Sequence, residues 1–207
     1  MPKLTLPPTE YLSGQDKRLG KIISHFGSSV AKIKKREPFD ALARAIISQQ
    51  LSNSASKSIE KRIVAIHGKR PFQPDLILSI ETEKLRECGL SNGKIKAIKG
   101  VANACLRGEL TIDSFKRLPD EEALKKLTSY WGIGPWTADI FMMFCLKRLD
   151  TLALGDVGLQ RAHNIIYPRA VSLEITSQKW RPYRALAASY LWKFLDAPDC
   201  HKKIFNK

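Results

Sequence analysis

The 207-residue sequence has few segments that alternate between apolar and polar residues, and no Asn-Gly turn between β-branched runs. Such patterns are typical of strands and hairpins, so a β-sheet protein is not expected. No apolar run reaches the roughly 18 residues that a transmembrane helix needs. Residues 1–10 are rich in proline and polar side chains and lack the apolar stretch of a secretory signal. We therefore expect neither a membrane span nor secretion.

Cysteine and histidine are scarce and scattered. No two cysteines have the CxxC spacing of a zinc or redox motif, and no histidines have the spacing of metal ligands. An iron–sulfur cluster is excluded for the same reason. We expect free thiols in a reducing compartment, either the bacterial cytoplasm or nucleoid or the eukaryotic nucleus. The residues in question are Cys88, Cys105, Cys145, Cys200, His25, His67, His163 and His201.

Basic residues are abundant. Lysine and arginine number 35 against 20 acidic residues, which gives a net charge of +15 and favours a polyanionic partner. Nucleic acid is the first interpretation and an anionic membrane surface the second, although no strongly amphipathic basic helix supports the second. A basic surface without a partner stays open on charge alone. The run Lys32, Lys34, Lys35 and Arg36 is expected to be a solvated face.

Helix signals are frequent and predict an all-α protein of nine or ten short helices. Apolar residues recur at helical spacing after each start signal, and glycines follow several of the predicted ends. Ser177 is expected to cap the last long helix, with Pro182 in its first turns. The other predicted starts are Pro38, Ser52, Pro74, Thr82, Lys94, Asp120, Pro135 and Gly158, and one earlier helix is expected around residues 19–26.

The most informative segment is residues 127–138, in which two glycines bracket Ile133 and Pro135 starts a new helix. Gly132 and Gly134 permit a tight turn, and the helix that follows directs its unpaired N–H groups and positive dipole end outward. Phosphate suits such a site. An ordinary turn between two helices also favours Gly and Pro, so the segment needs support from other residues.

Four stretches, taken in their order, give that support: residues 45–52, residues 85–91 with Lys94, the hairpin with residues 155–158, and residues 179–184 with 190–192. Together they resemble the helix-hairpin-helix DNA glycosylase superfamily, most closely the 3-methyladenine DNA glycosylase II branch. The resemblance implies one glycosylase domain, residues 1–207, with two helical lobes and a cleft between them. One lobe comprises about 1–35 and 150–207, the other about 36–149 with the hairpin at 127–138.

The resemblance implies that Asp156 is the catalytic carboxylate. N-glycosidic cleavage builds positive charge on the sugar, which a fixed carboxylate stabilises while it orients or deprotonates water. Asp156 could equally cap the helix that follows it, and both roles can coexist. Relatives often carry a second acid and a proline where this chain has Leu154 and Gly155. Asp139 and Asp150 are expected to be structural or solvated.

Trp136 stands where glycosylases that also cut the strand have a nucleophilic lysine. The resemblance therefore implies a monofunctional enzyme that uses water, requires no cofactor and leaves an abasic site. Its expected partner is double-stranded DNA containing alkylated bases, bound by a monomer. A non-catalytic hairpin DNA-binding protein and a glycosylase for another damaged base are the alternatives.

The resemblance also implies the sites that hold DNA. Aromatic rings can stack on an extruded cationic base, and polar side chains can fill the gap that it leaves. The expected base pocket is Trp136, Trp192 and Tyr130. The two tryptophans match the family's pocket aromatics, and the weaker candidates are Tyr130, Trp131, Trp180 and Tyr183. The expected wedge is Gln49, Gln50 and Leu51, and the expected phosphate-binding hairpin is Gly132, Ile133, Gly134 and Trp136. Backbone carbonyls of Thr128, Tyr130 and Ile133 are expected to hold a Na⁺ or K⁺ ion.

Overall fold

The computed structural model describes residues 6–28, 36–68, 72–168 and 172–205, and within these ranges it contains helices and no β-strand. In chain order the α-helices are α1 Pro8–Gln15, α2 Lys17–Phe26, α3 Pro38–Ser48, α4 Asn53–His67, α5 Pro74–Ser79, α6 Thr82–Glu87, α7 Asn92–Leu106, α8 Asp120–Thr128, α9 Pro135–Phe144, α10 Val157–Ile166, α11 Leu173–Thr176, α12 Arg184–Leu195 and α13 His201–Phe205. Lys32, Lys34 and Lys35 of the predicted basic run lie outside the described residues.

The chain divides into two compact units. The terminal unit combines the described parts of Met1–Lys34 and Arg148–Lys207, and the hairpin unit comprises the described part of Lys35–Lys147. The sequence predicts lobe boundaries near residues 36 and 149. Among the described helices, none has the length and apolar character that a membrane crossing requires.

The hairpin unit is built around α3, which packs against both α7 and α9. Proline in the first turn starts α3 and α9, where its missing N–H costs no hydrogen bond. The Ser91 hydroxyl caps α7 by accepting from the N–H of Lys94. The apolar faces of these helices meet in one buried cluster, which includes Phe39, Leu42, Ile46, Ile98, Val101, Phe115, Leu127 and Phe141. This packing fixes the turn after α3 and the hairpin before α9 on the same core.

The terminal unit is organised around the buried carboxylate of Asp16, which is 4% exposed and accepts five hydrogen bonds. Its Oδ1 caps α2, while its Oδ2 accepts from Tyr167, Trp180 and Lys179. Burial alone would raise the pKa of Asp16, but the donors on Oδ2 outweigh it and hold that pKa below the usual value. Asp16 therefore ties the first segment of the chain to the last.

The helix prediction was wrong at the start of the last long helix, and it missed three of the described helices, α1, α11 and α13. Ser177 does not begin the last long helix, because Ser177–Trp180 forms a short 3₁₀ helix and α12 begins only at Arg184. Pro182 lies in the break, since a proline in a helix interior would clash with the preceding turn. Helix α1 was not predicted, because only Leu12 of its residues is buried and its apolar periodicity is weak.

Candidate active site

The hairpin between α8 and α9 depends on Gly132. Its φ of +83° lies in the left-handed region, and a Cβ built there would stand 2.4 Å from the Cβ of Ala97 on α7. Both the conformation and the close packing therefore require glycine. Gly134 has an extended conformation and open space around it, so neither requirement applies there.

Ile133 anchors the hairpin. Its side chain is 3% exposed, and its N–H donates to the carbonyl of Tyr130 at 3.1 Å. Ile133 was predicted as a phosphate contact, but its N–H is engaged inside the turn. Helix α9 begins at Pro135 and has no side-chain cap at Gly134. The first turn of such a helix presents N–H groups without intrahelical acceptors, which is the arrangement that suits a phosphate.

An open groove of about 580 Å³ lies against the hairpin. The Gln49 side-chain amide reaches this groove and donates to the carbonyl of Gly132 at 3.0 Å and to the hydroxyl of Thr137 at 2.9 Å. Gln49 therefore braces the hairpin, although it was predicted as part of the wedge. The groove is lined by Gln49, Thr128, Ser129, Tyr130, Trp131, Gly132, Ile133 and Gly134.

Gln50 and Leu51 form the exposed tip of the turn between α3 and α4. Gln50 is exposed with φ +55°, a left-handed conformation that is uncommon for a residue with a side chain. Leu51 is 40% exposed. An exposed apolar side chain beside a polar one, on a tight turn, has the chemistry that a wedge into stacked bases needs.

Asp156 is the N-cap of α10 and also touches one of the predicted pocket aromatics. Its Oδ1 accepts from the N–H of Leu159 at 2.7 Å and from Nε1 of Trp192 at 3.0 Å. The capping role weighed for Asp156 is therefore present, and the bond from Trp192 joins this carboxylate to a predicted pocket ring. Trp192 is half-buried on α12, so the structure brings together the predicted carboxylate and one predicted ring.

Gly158 leaves room for this contact. A Cβ built on Gly158 would stand 3.0 Å from Oδ1 of Asp156, 3.4 Å from Leu195 and 3.6 Å from the Trp192 ring. Glycine in the first turn of a helix costs stability relative to alanine, so its presence calls for a reason. Gly158 was not among the predicted site residues, and its signal in the sequence is a glycine two residues after the predicted catalytic acid.

The other predicted aromatics differ in environment. Trp180 is fully buried and its Nε1 donates to Asp16 at 2.8 Å, so it belongs to the core of the terminal unit. The Tyr130 hydroxyl donates to Glu109, and burial with this bond raises the pKa of the phenol. Tyr130 is therefore engaged within the hairpin unit. Trp136 is half-buried in the first turn of α9, and Trp131 is 57% exposed.

Asp150 has the structural role expected for it. Its carboxylate accepts from Nε of Arg184 at 2.8 Å and from Nε of Arg181 at 2.9 Å. Two guanidinium groups therefore hold this carboxylate in ion pairs.

The cysteines are free thiols, and Cys88, Cys145 and Cys200 are buried. Burial raises the pKa of Cys145 to about 12 and that of Cys105 to about 11, so both are protonated at neutral pH. Within the described ranges, no group of three or more His, Cys, Asp or Glu side chains is arranged to hold a metal ion.

Comparison with known proteins identifies the family of the chain. Residues 43–179 match the family model of the HhH-GPD superfamily base excision DNA repair protein. The chain is 32% identical to DNA-3-methyladenine glycosylase 1 of Schizosaccharomyces pombe over 207 aligned positions, covering 95% of this chain and 90% of that protein.

Solved structures support the same family. The structure of the S. pombe 3-methyladenine DNA glycosylase in complex with abasic DNA has a TM-score of 0.79 and 30% identity, covering 91% of this chain and 96% of that one. A DNA-3-methyladenine glycosidase from Bacillus halodurans has a TM-score of 0.71 and 33% identity, covering 92% and 90%. The predicted all-α fold class and family are confirmed. The chain therefore belongs to the HhH-GPD superfamily of base excision DNA repair proteins, in the branch of the 3-methyladenine DNA glycosylases.

Proposed function

We propose that the chain is a monofunctional DNA glycosylase that flips an alkylated purine of the 3-methyladenine type out of double-stranded DNA and excises it. The observation that carries the proposal is the Asp156 carboxylate, held by the first turn of α10 and by the Trp192 indole. The names of the relatives support the substrate class.

Asp156 is the catalytic residue in this proposal. The bond between the sugar C1′ and the base nitrogen breaks, and its electron pair leaves with the base. Positive charge develops on the sugar, and the Asp156 carboxylate stabilises it. The oxygen of a water molecule then bonds to C1′, and its proton passes to the carboxylate and on to solvent. A base that already carries positive charge is a good leaving group, so this step needs no strong general acid.

Trp192 and Trp136 supply the aromatic surfaces for the extruded base. A cationic base stacked on an indole gains about 0.5–2 kcal/mol when it leaves water. Positive charge on the base has two effects, since it strengthens stacking on the indole and weakens the glycosidic bond. The preference should therefore be for N-alkylated purines over neutral lesions.

Water is the nucleophile because Trp136 provides no amine at the hairpin position where strand-cutting relatives carry lysine. A Schiff base with the sugar is not formed from this site. The product is an abasic site in an unbroken strand.

We assign the binding of a DNA phosphate to the hairpin. The N–H groups around Gly132, Gly134 and Trp136 face the phosphate, and the net charge of +15 favours association with the polyanion. Gln50 and Leu51 enter the stack where the base has left it. One copy of the chain contains all of these elements, so we expect a monomer to act.

A monovalent cation fits the hairpin groove. Thr128, Tyr130 and Ile133 all line it, and their backbone carbonyls are the hard oxygen ligands that Na⁺ and K⁺ accept. Helix α8 ends at Thr128, where carbonyls lack intrahelical partners and the dipole is negative. An ion held there would add positive charge beside the DNA phosphate, while the Tyr130 carbonyl keeps its bond from Ile133.

Base release tests the proposal directly. Incubation with methylated DNA, followed by separation of the released bases, should yield 3-methyladenine and leave strands that break only after heat or alkali. Borohydride should trap no covalent enzyme–DNA adduct. DNA binding without release of any base would instead identify a non-catalytic hairpin protein.

A further inference from the structure

Lys94, in the first turn of α7, reaches across to the end of α3. Its ammonium group donates to the carbonyl of Ile47 at 2.7 Å and to the carbonyl of Gln49 at 2.8 Å. The side chain is half-buried, and burial lowers the pKa of the ammonium group. A lysine removed from water in this way needs strong acceptors, and these two carbonyls supply them.

The acceptors lie where α3 stops. The last carbonyls of a helix have no intrahelical N–H partner and carry the negative end of the helix dipole. A cation that binds them stabilises the helix end and holds the backbone immediately before Gln50. Charge-assisted hydrogen bonds of this kind are about twice as strong as neutral ones.

The same turn is held from a second side. The Gln49 amide donates to the Gly132 carbonyl and to the Thr137 hydroxyl, which belong to the hairpin and to α9. Lys94 thus holds the backbone of Gln49, while the side chain of Gln49 holds the hairpin. The exposed tip, Gln50 and Leu51, follows directly after this double attachment.

We propose that Lys94 and Gln49 are positioning residues for base flipping, which lock the Gln50–Leu51 wedge at a constant distance from the phosphate-binding hairpin. The inference rests on the proposed function, because it assigns the two residues to a step of that reaction. Neither residue needs to touch the base or the reacting sugar.

The Gln50–Leu51 wedge must be rigid because the base stack resists its insertion. Opening a base pair and unstacking its base cost free energy. A flexible wedge would be displaced by the duplex before the base pair opened. Gln50 already has a left-handed backbone, so the turn would relax readily if its anchor were removed. A side chain or turn held in its working position before DNA arrives also avoids the entropy cost of ordering it later.

Lys94→Met tests the proposal with two duplexes, one with 7-methylguanine paired to cytosine and one with the same lesion in a single-nucleotide bulge. Single-turnover excision from the paired duplex should fall by about tenfold or more, the scale of one or two lost charge-assisted hydrogen bonds. Excision from the bulge should change by less than about threefold, because an unpaired base is cheaper to extrude. Lys94→Arg should recover part of the loss.

Lys99→Met is the matched control. Lys99 also lies on α7 and is half-buried, and its ammonium group donates to the Ile80 carbonyl at the end of α5 and to Thr82. It therefore makes the same kind of contact at another turn. This variant should lose similar stability to urea but keep the wild-type ratio of paired to bulged excision.

A second measurement follows flipping itself. A 2-aminopurine placed beside the lesion should brighten on binding of the wild-type protein, and both Lys94→Met and Gln49→Leu should weaken that signal at saturating protein. Equal losses on both duplexes, or a loss in Lys99→Met that matches Lys94→Met, would overturn the positioning role. A wild-type protein that releases neither 7-methylguanine from these duplexes nor 3-methyladenine from methylated DNA would refute the proposed function instead.

Discussion

Gly158→Ala should damage catalysis while leaving the fold intact. The added Cβ would stand 3.0 Å from Oδ1 of Asp156, whereas ordinary contacts begin at 3.4 Å. The carboxylate must therefore retreat by about 0.4 Å. It cannot retreat freely, because the same oxygen accepts bonds of 2.7 Å from Leu159 and 3.0 Å from Trp192.

The expected loss follows from those two bonds. Weakening one hydrogen bond to a charged acceptor costs about 1.5–3 kcal/mol. If that stabilisation is lost from the transition state, the rate falls by about 10- to 150-fold. Alanine is the better helix former by about 1 kcal/mol. This gain offsets the weakened cap of α10, so the variant should unfold in urea at close to the wild-type concentration.

Single-turnover excision from methylated DNA measures the effect, beside affinity for abasic DNA. Gly155→Ala is the matched control, because a Cβ at Gly155 meets nothing within 4 Å. It should retain full activity. The reasoning about Gly158 fails if its alanine variant excises bases at the wild-type rate, or if its activity and its resistance to urea fall together.

Three further outcomes are expected. Asp156→Asn should lower base release by about 100-fold or more while DNA binding persists, and near-normal release would remove Asp156 from the catalytic role. Trp192→Ala should lower excision of alkylated bases more than affinity for abasic DNA, and equal losses would make Trp192 a core residue. Gly132→Ala should destabilise the protein to urea by about 1–3 kcal/mol and weaken DNA binding, because it adds an unfavourable φ and an overlap with Ala97. Gly134→Ala should change stability little, and similar losses in the two glycine variants would contradict this account of the turn.

Helix starts were predictable where a local cap or proline decides them. Pro38, Pro74 and Pro135 each begin a helix as expected, and Ser52 caps α4 through its hydroxyl. These signals act within one turn of backbone, so they can be read without knowledge of the tertiary structure.

Long-range partners were not predictable in the same way. Nothing near Asp16 in the sequence indicates that Trp180, 164 positions later, donates to its carboxylate. Ile66 follows Ile59 and Ile63 at helical spacing in the sequence, yet it is 45% exposed near the end of α4. A periodic pattern identifies an apolar stripe, but only packing decides how far the stripe is covered.

Contacts within the candidate active site were also not predictable from the sequence. Asp156 and Trp192 could be singled out by resemblance, but their direct hydrogen bond depends on how α10 and α12 pack. The bond from Gln49 to the hairpin spans 83 positions and has no local signal. The sequence therefore supports a choice of candidate residues but does not indicate what each one contacts.

The division of the chain into units has a consequence for synthesis. The hairpin unit is one continuous stretch, so a ribosome delivers all of it before Arg148 appears. The terminal unit cannot be complete until both of its segments have been synthesised. The donors to the Asp16 carboxylate, Tyr167, Lys179 and Trp180, all lie in the second segment. At the usual pace of translation, roughly 5–20 residues per second, the 60 residues of Arg148–Lys207 take about 3–12 s. During that interval a nascent chain carries the hairpin of residues 127–138 before the terminal unit, which contains Asp156, is complete.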